Sequence, residues 1–170
     1  MLKAGFVRGG TAVISSCGQY RYLLTRHPGL QPRIATFIML NPSTADAEKD
    51  DQTIRKCIGF TRLLGCGTLQ VVNLFAYRAR YPRDMKKAID PVGPDNAEHV
   101  RRAVQEAVGP VICAWGAQGG YRDQDRTMMR WLAEAGVVPF AYALTKEGHP
   151  QHPLLIPYKA ELSRFPGRKP

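Results

Sequence analysis

Polar or glycine residues stand directly at the ends of apolar runs in this chain, and their types could support ligand binding or catalysis. Asn41 follows the run Ala-Thr-Phe-Ile-Met-Leu, Asn73 lies in Val-Val-Asn-Leu-Phe, and Gly116 follows Val-Ile-Cys-Ala-Trp. A later loop carries His149 and His152, each followed by proline. An asparagine amide can pair bidentately with a base or amide edge, and a histidine can stabilise an anion. No third ligand is spaced near the two histidines, so the sequence predicts neither a metal site nor a cofactor.

Each of these residues also has a purely structural interpretation. Asn-Pro is a common turn opener, so Asn41 can simply begin a turn. Asn73 can satisfy the backbone of a neighbouring loop, and Trp115-Gly116 can be a tight turn between a strand and a helix. The two His-Pro pairs can be rigid loop residues. For Asn73 we favour a functional role, because a polar amide in a buried strand needs partners.

The hydrophobic pattern around these residues predicts three strand-helix units closed by a fourth strand. We therefore expect an α/β fold of three layers: a doubly wound, mostly parallel four-stranded sheet with helices on both faces, entered by an N-terminal β-hairpin. The whole chain, 1–170, is expected to be one domain. The predicted strands are 35–40, 68–75, 111–115 and 137–144; the helices begin at Asp50 or Asp51, at 94–96 and near 122; and the hairpin strands are 11–14 and 20–25.

The positions of the strand ends predict where the candidate residues lie relative to one another. Parallel strands point their carboxyl ends toward the same edge of a sheet, where open α/β proteins bind their ligands. Asn41, Asn73, Gly116 and the His-Pro loop should therefore lie close together. The sequence predicts a polar ligand site at that edge.

Composition indicates an ordinary globular protein with a basic surface. The 170 residues are 44% hydrophobic, and 24 Lys and Arg against 14 Asp and Glu give a net charge of +10. Such a balance makes a polyanion a reasonable partner. There is no signal-like N-terminus and no apolar run long enough to span a bilayer, so we expect a cytoplasmic protein without a membrane partner. The four cysteines lack a Cys-x-x-Cys pair and are expected to be reduced thiols: Cys17, Cys57, Cys66 and Cys113.

Several basic residues are placed to contact a nucleic-acid backbone if the ligand site binds one. Most of them lie just after the strand that carries Asn73, although such a cluster is often only a solvated face. They are Arg62, Arg78, Arg80, Arg83, Lys86 and Lys87.

Longer motifs resemble two known groups of proteins. Four segments are similar to a bacterial and phage family catalogued as domain of unknown function sixteen forty-three: Tyr20-Arg21-Tyr22, 39–45, 72–78 and 148–154. The order of strand-Asn-Pro, strand-Asn, strand-Trp-Gly and a His-Pro loop also resembles the uracil-DNA glycosylase superfamily over roughly residues 34 to 157.

The glycosylase resemblance implies a role for each strand-end residue. Asn41 would position the attacking water, Asn73 would read an extruded base, and His149 or alternatively His152 would stabilise the departing base anion. Pro42, Phe75 and Gly116 would complete the base pocket, and Ser43 and Thr44 would join the basic residues on phosphate.

The expected function is thus recognition or processing of a base in DNA, by base flipping and N-glycosidic hydrolysis. The alternatives are an enzyme acting on a free nucleotide or modified nucleobase, and a non-catalytic nucleic-acid-binding module. The sequence does not indicate an oligomeric state.

Overall fold

The computed structural model describes residues 9–43, 45–46 and 48–168 of the chain, and its centre is a seven-stranded mixed sheet. The spatial order is β1-β2-β4-β3-β5-β6-β7. Pairs β3/β4, β3/β5 and β5/β6 are parallel, whereas β1/β2, β2/β4 and β6/β7 are antiparallel. The strands are β1 Gly10–Ile14, β2 Arg21–Arg26, β3 Ile34–Met39, β4 Thr68–Asn73, β5 Val111–Cys113, β6 Pro139–Ala141 and β7 Ser163–Arg164.

The prediction of a mostly parallel four-stranded sheet is therefore wrong, although the α/β class is right. The N-terminal hairpin does not stand apart from the sheet, because β2 pairs with β4 through Leu24 opposite Val71. At the other edge, β7 adds a short antiparallel strand through Phe140 opposite Arg164. Both additions depend on pairings between segments far apart in sequence, which local periodicity does not report.

Strand β3 is central because its sequence is apolar on both faces. Phe37 and Ile38 are both fully buried and belong to separate hydrophobic clusters on opposite sides of the sheet. Its six residues pair in unbroken parallel register with β4, from Ile34 opposite Thr68 to Met39 opposite Asn73. The carboxyl ends of these two strands therefore finish side by side.

Four α-helices accompany the sheet in the described part of the chain. They are α1 Gln52–Leu63, α2 Pro82–Met85, α3 Asn96–Glu106 and α4 Gln124–Glu134. α1 contributes to the cluster containing Phe37, while α3 and α4 contribute to the cluster containing Ile38. Asp51, rather than Asp50, caps α1: its Oδ1 accepts a hydrogen bond from the backbone N–H of Ile54 at 2.8 Å.

Other boundaries also differ from the predicted ones. The third predicted helix starts later, because residues 117–123 form a 3-10 segment that ends with Arg122 and Asp123 in left-handed conformations. The last predicted strand is only three residues long.

Cys57, Cys66 and Cys113 are buried, Cys17 is exposed, and all four are free thiols. Burial raises the pKa of Cys113 well above its ordinary value, so this thiol is protonated and packs in the core.

Among the described residues, no helix has both the length and the apolar composition needed to cross a membrane.

Candidate functional site

A cavity of about 670 Å³ opens at the carboxyl ends of the central strands. This volume is within the usual range of small-molecule sites. The ends of β3 and β4, the residues after β5, the first turn of α1, the start of α2 and the His-Pro loop all contribute to its wall. Its polar and aromatic lining consists of Arg21, Asn41, Ser43, Asp51, Gln52, Thr53, Asn73, Arg80, Tyr81, Trp115, Gln118 and His152.

Asn73 is the most unusual residue of this cavity. It ends β4 opposite Met39, and only 1% of its surface is exposed. Neither its Nδ2 nor its Oδ1 has a hydrogen-bond partner in the part of the chain that the structure describes. A buried amide without partners lowers stability by about 1–3 kcal/mol. The side chain therefore holds an unused donor and an unused acceptor beside each other in the cavity wall.

Asn41 lies two residues after Met39 and has a fixed orientation. Its Nδ2 donates to the carbonyl oxygens of Ala79 at 2.9 Å and of Pro42 at 3.1 Å. Both amide hydrogens are thereby engaged, and Oδ1 is left as the acceptor that the side chain can offer to a ligand or a water molecule.

Gly116 and the His-Pro loop form the opposite wall. Gly116 has a φ of 78°, a conformation that favours glycine, and its N–H donates to the carbonyl of Pro150 at 2.8 Å. This bond holds the loop against the turn after β5 and leaves His152 lining the cavity. His152 Nδ1 accepts from the N–H of Leu154 at 3.3 Å, so the ring proton of the neutral imidazole is on Nε2. Burial lowers the pKa of His152, which favours this neutral form.

His149 lies outside the cavity lining. Its ring is buried, with Nδ1 3.8 Å from Oδ2 of Asp125. The same carboxylate oxygen accepts from Nε of Arg168 at 3.0 Å, so His149 belongs to a charged cluster between α4 and the C-terminal segment. Of the two histidines left open by the sequence, the structure places His152 with Asn41 and Asn73.

The other predicted pocket residues have structural contacts. Pro42 is buried, and its carbonyl accepts from Ala79 N–H at 2.9 Å. Phe75 is fully buried in the core, with its ring 5.7 Å from that of Tyr121, and does not line the cavity. Ser43 does line the cavity, whereas Thr44 lies outside the described residues.

Of the six basic residues predicted to contact phosphate, all of which the structure describes, Arg80 alone lines the cavity. Its guanidinium lies 5.5 Å from the ring centroid of Tyr81, and that of Arg83 lies 5.1 Å from the same centroid. Tyr81 is 46% exposed and also lines the cavity. We call Arg80, Tyr81 and Arg83 the rim. An aromatic ring flanked by guanidinium groups is a surface on which nucleic-acid bases and phosphates can bind.

The remaining basic residues are further from the cavity or engaged elsewhere. Lys86 lies over the ring of Tyr121 at 5.1 Å, and Lys87 pairs with Asp84 at 3.0 Å. Arg78 donates to the carbonyl of Gly18. Arg62 is in the last turn of α1, about 15 Å along the helix from the turn that borders the cavity.

Seven of the polar and aromatic residues that line the cavity were not among the predicted site residues: Arg21, Asp51, Gln52, Thr53, Tyr81, Trp115 and Gln118. Arg21 is 3% exposed, and its Nε is without a partner among the described residues. Burial lowers the pKa of Arg21 to about 10, and the charge of Asp51 opposes this effect. The Nε1 of Trp115 is similarly buried and unpartnered. One sequence feature could have indicated Arg21: it is a charged residue at the start of the otherwise apolar run Tyr-Leu-Leu.

Among the buried side-chain atoms of this site that lack a partner within the described residues, donors outnumber acceptors. The Nε of Arg21, the Nε1 of Trp115 and the Nδ2 of Asn73 are donors, whereas the Oδ1 of Asn73 is an acceptor. Such a wall fits a ligand rich in carbonyl or anionic oxygens, with at least one donor of its own. Within the described residues, no group of three or more His, Cys, Asp and Glu side chains is arranged to hold a metal ion.

Comparison with known proteins gives a family but no activity. Residues 21–154 match the family model described as "Protein of unknown function (DUF1643)". This match spans most of the chain, which therefore belongs to that family. No curated protein and no solved structure matches the chain.

Proposed function

We propose that the cavity binds a nucleobase extruded from a nucleic-acid strand and that its polar residues promote hydrolysis of the N-glycosidic bond. The observation that carries this proposal is the buried amide of Asn73, whose donor and acceptor are both unused at the wall of a ligand-sized cavity. An amide in this state is complementary to a base edge with adjacent acceptor and donor groups.

The rim residues favour the binding of a nucleic-acid strand over the binding of an isolated base. Tyr81 offers an exposed ring next to the cavity, and Arg80 and Arg83 lie over that ring. Bases stack on such rings, while guanidinium groups neutralise phosphates. The net charge of +10 adds a long-range attraction for a polyanion.

Asn41 and His152 have the chemistry that glycosidic hydrolysis requires. Oδ1 of Asn41 accepts a hydrogen bond from a water molecule, whose oxygen bonds to the anomeric carbon of the sugar. The bond between that carbon and the base nitrogen breaks, and its electron pair remains on the base. Nε2–H of His152 donates to a carbonyl oxygen of the departing base and stabilises its negative charge. The water loses a proton to solvent, and the released base takes one up.

The experiment is an assay of abasic-site formation on single- and double-stranded oligonucleotides that carry uracil, hydroxymethyluracil, hypoxanthine or mismatched bases. Wild type is compared with Asn73→Leu and with Gln105→Leu, which changes an exposed amide on α3 outside the cavity. We expect cleavage of at least one substrate by wild type and by Gln105→Leu, and none by Asn73→Leu.

Binding of the same oligonucleotides separates recognition from catalysis. If wild type binds a substrate in an Asn73-dependent manner without cleaving it, base recognition stands and the hydrolytic step is wrong. If no oligonucleotide binds more tightly to wild type than to Asn73→Leu, the nucleic-acid proposal is wrong.

A free nucleotide is the second candidate ligand. The observation in its favour is the buried guanidinium of Arg21 inside the cavity, because it places a positive charge where a whole small ligand, rather than a long strand, would reach it.

A further inference from the structure

Arg21 is a buried cation that has no ionic partner among the residues that the structure describes. No Asp or Glu oxygen of the described residues lies within 4.0 Å of its guanidinium, and its hydrogen bond goes from Nη1 to the carbonyl of Ala45. Arg26, on the same strand, shows the usual arrangement, since its Nε donates to Oδ1 of Asp50 at 2.8 Å. Buried charges are normally paired, and an unpaired one is expensive to keep. An anion bound beside Arg21 would therefore supply the missing negative charge.

The first turn of α1 borders the same cavity. Gln52 and Thr53 are its first two residues, and both line the cavity. The N–H of Ile54 is taken by Asp51 Oδ1 and that of Arg55 by the carbonyl of Asp51. The N–H groups of Gln52 and Thr53 have no partner in the part of the chain that the structure describes. Free N–H groups and the helix dipole favour an anion at such a helix start.

The charged residues around this position carry one more positive than negative charge, so one negative group would balance them. Asp51 contributes one negative charge, and its Oδ1 is committed to capping α1. Arg21 and, at the rim, Arg80 contribute two positive charges, and His152 is neutral because of its burial. The cavity therefore carries a net positive charge that the helix start reinforces.

We propose that Arg21 and the start of α1 bind a phosphate group of the nucleotide whose base lies at Asn73. This inference rests on the proposed function, because it takes the base at Asn73 as given and adds a second contact to the same ligand. A phosphate accepts hydrogen bonds from a guanidinium and from backbone N–H groups together. The phosphate belongs either to a free nucleoside monophosphate or to the strand beside an extruded base.

The test measures the contribution of the phosphate directly. Inorganic phosphate, nucleosides, their 5′-monophosphates and oligonucleotides carrying the same bases are titrated into wild type, Arg21→Met, Arg21→Lys and Asn73→Leu by calorimetry. Arg130→Met, an exposed change on α4, serves as the matched control. Thermal melting of each variant establishes that it is folded.

We expect wild type and Arg130→Met to bind a phosphate-bearing ligand at least tenfold more tightly than the matching nucleoside. Arg21→Met should lose the preference for phosphate, so that the phosphate-bearing ligand and the matching nucleoside bind it with similar affinity. Arg21→Lys should recover only part of the preference because it lacks the planar fork. A preference seen with monophosphates identifies the free nucleotide; one seen only with oligonucleotides identifies the strand.

Two results separate this inference from the proposed function. If nucleosides bind in an Asn73-dependent manner and a phosphate adds nothing, the phosphate site is wrong while base recognition stands. If inorganic phosphate and all monophosphates bind equally, depend on Arg21 and are unaffected by Asn73→Leu, the phosphate site stands and base recognition is wrong. If wild type binds none of these ligands, both are wrong.

Discussion

Replacing Asn73 by leucine should stabilise the protein while removing its ligand-binding ability. Leucine has the same number of side-chain heavy atoms as asparagine and the same branching at Cγ, but no polar group. In the native chain the amide is 1% exposed, and both of its polar atoms lack partners among the described residues. Residues kept for function at the expense of stability behave in this way, because removing them relieves the cost.

The size of the effect follows from the desolvation of one amide. An unpaired buried polar group costs about 1–3 kcal/mol, and an apolar side chain of similar shape removes that cost. For a chain of 150–250 residues each kcal/mol moves the melting temperature by about 2–4 °C. We therefore expect Asn73→Leu to raise the melting temperature by about 2–12 °C, with a matching rise in the urea midpoint at an unchanged slope.

Asn96 provides a matched control. It is also a fully buried asparagine, but its Nδ2 donates to the carbonyls of Asn73 at 3.0 Å and Leu74 at 3.2 Å. Asn96→Leu should lower stability by about 1–3 kcal/mol, because two buried carbonyls lose their donor. If Asn73→Leu destabilises the protein as Asn96→Leu does, the amide of Asn73 serves the fold and our reasoning about it is refuted.

Three further predictions concern the walls of the cavity. Gly116→Ala should cost about 1–3 kcal/mol in a denaturation experiment, because φ is 78° there; an unchanged stability would contradict the strained turn. Asp51→Ala should lower the stability measured in urea by about 0.5–2 kcal/mol through loss of the α1 cap, and no loss would show that the bond to Ile54 is unimportant. Burial lowers the pKa of His152, so the unfolded chain binds that proton more tightly and stability falls as the pH drops below the ordinary imidazole pKa of about 6.5. Between pH 7.5 and 5, the urea midpoint of His152→Gln should therefore fall less than that of wild type. If the two midpoints fall by the same amount, the burial of this ring is contradicted.

The parts of the fold that the sequence predicts well are those set by local pattern. Helix α1 has an amphipathic period and an aspartate cap, and it forms within two residues of its predicted start. Strands β3 and β4 are apolar runs that end at polar residues, and the structure brings Asn41 and Asn73 to one cavity.

The parts that the sequence misses depend on distant pairings. Strand β7 has only two residues, both exposed, so no hydrophobic period marks it. Arg21 reaches the cavity because β2 pairs with β4, a contact between segments more than 40 residues apart. His152 rather than His149 lines the cavity because the loop is held by the bond between Gly116 and Pro150, whereas in the sequence both histidines are simply followed by proline. None of these pairings can be predicted from the pattern of residues that are neighbours in the sequence.

The most direct test of base recognition at Asn73 is the side-chain amide resonance of Asn73 in a ¹⁵N–¹H spectrum. Its signal is identified by its absence in Asn73→Leu and is followed while nucleosides, nucleotides and oligonucleotides are added. We predict that a base-containing ligand shifts this resonance saturably, whereas the resonance of the exposed Gln105 on α3 does not move. If ligands bind and shift other cavity resonances while that of Asn73 stays in place, the amide does not read a base and the central claim is wrong.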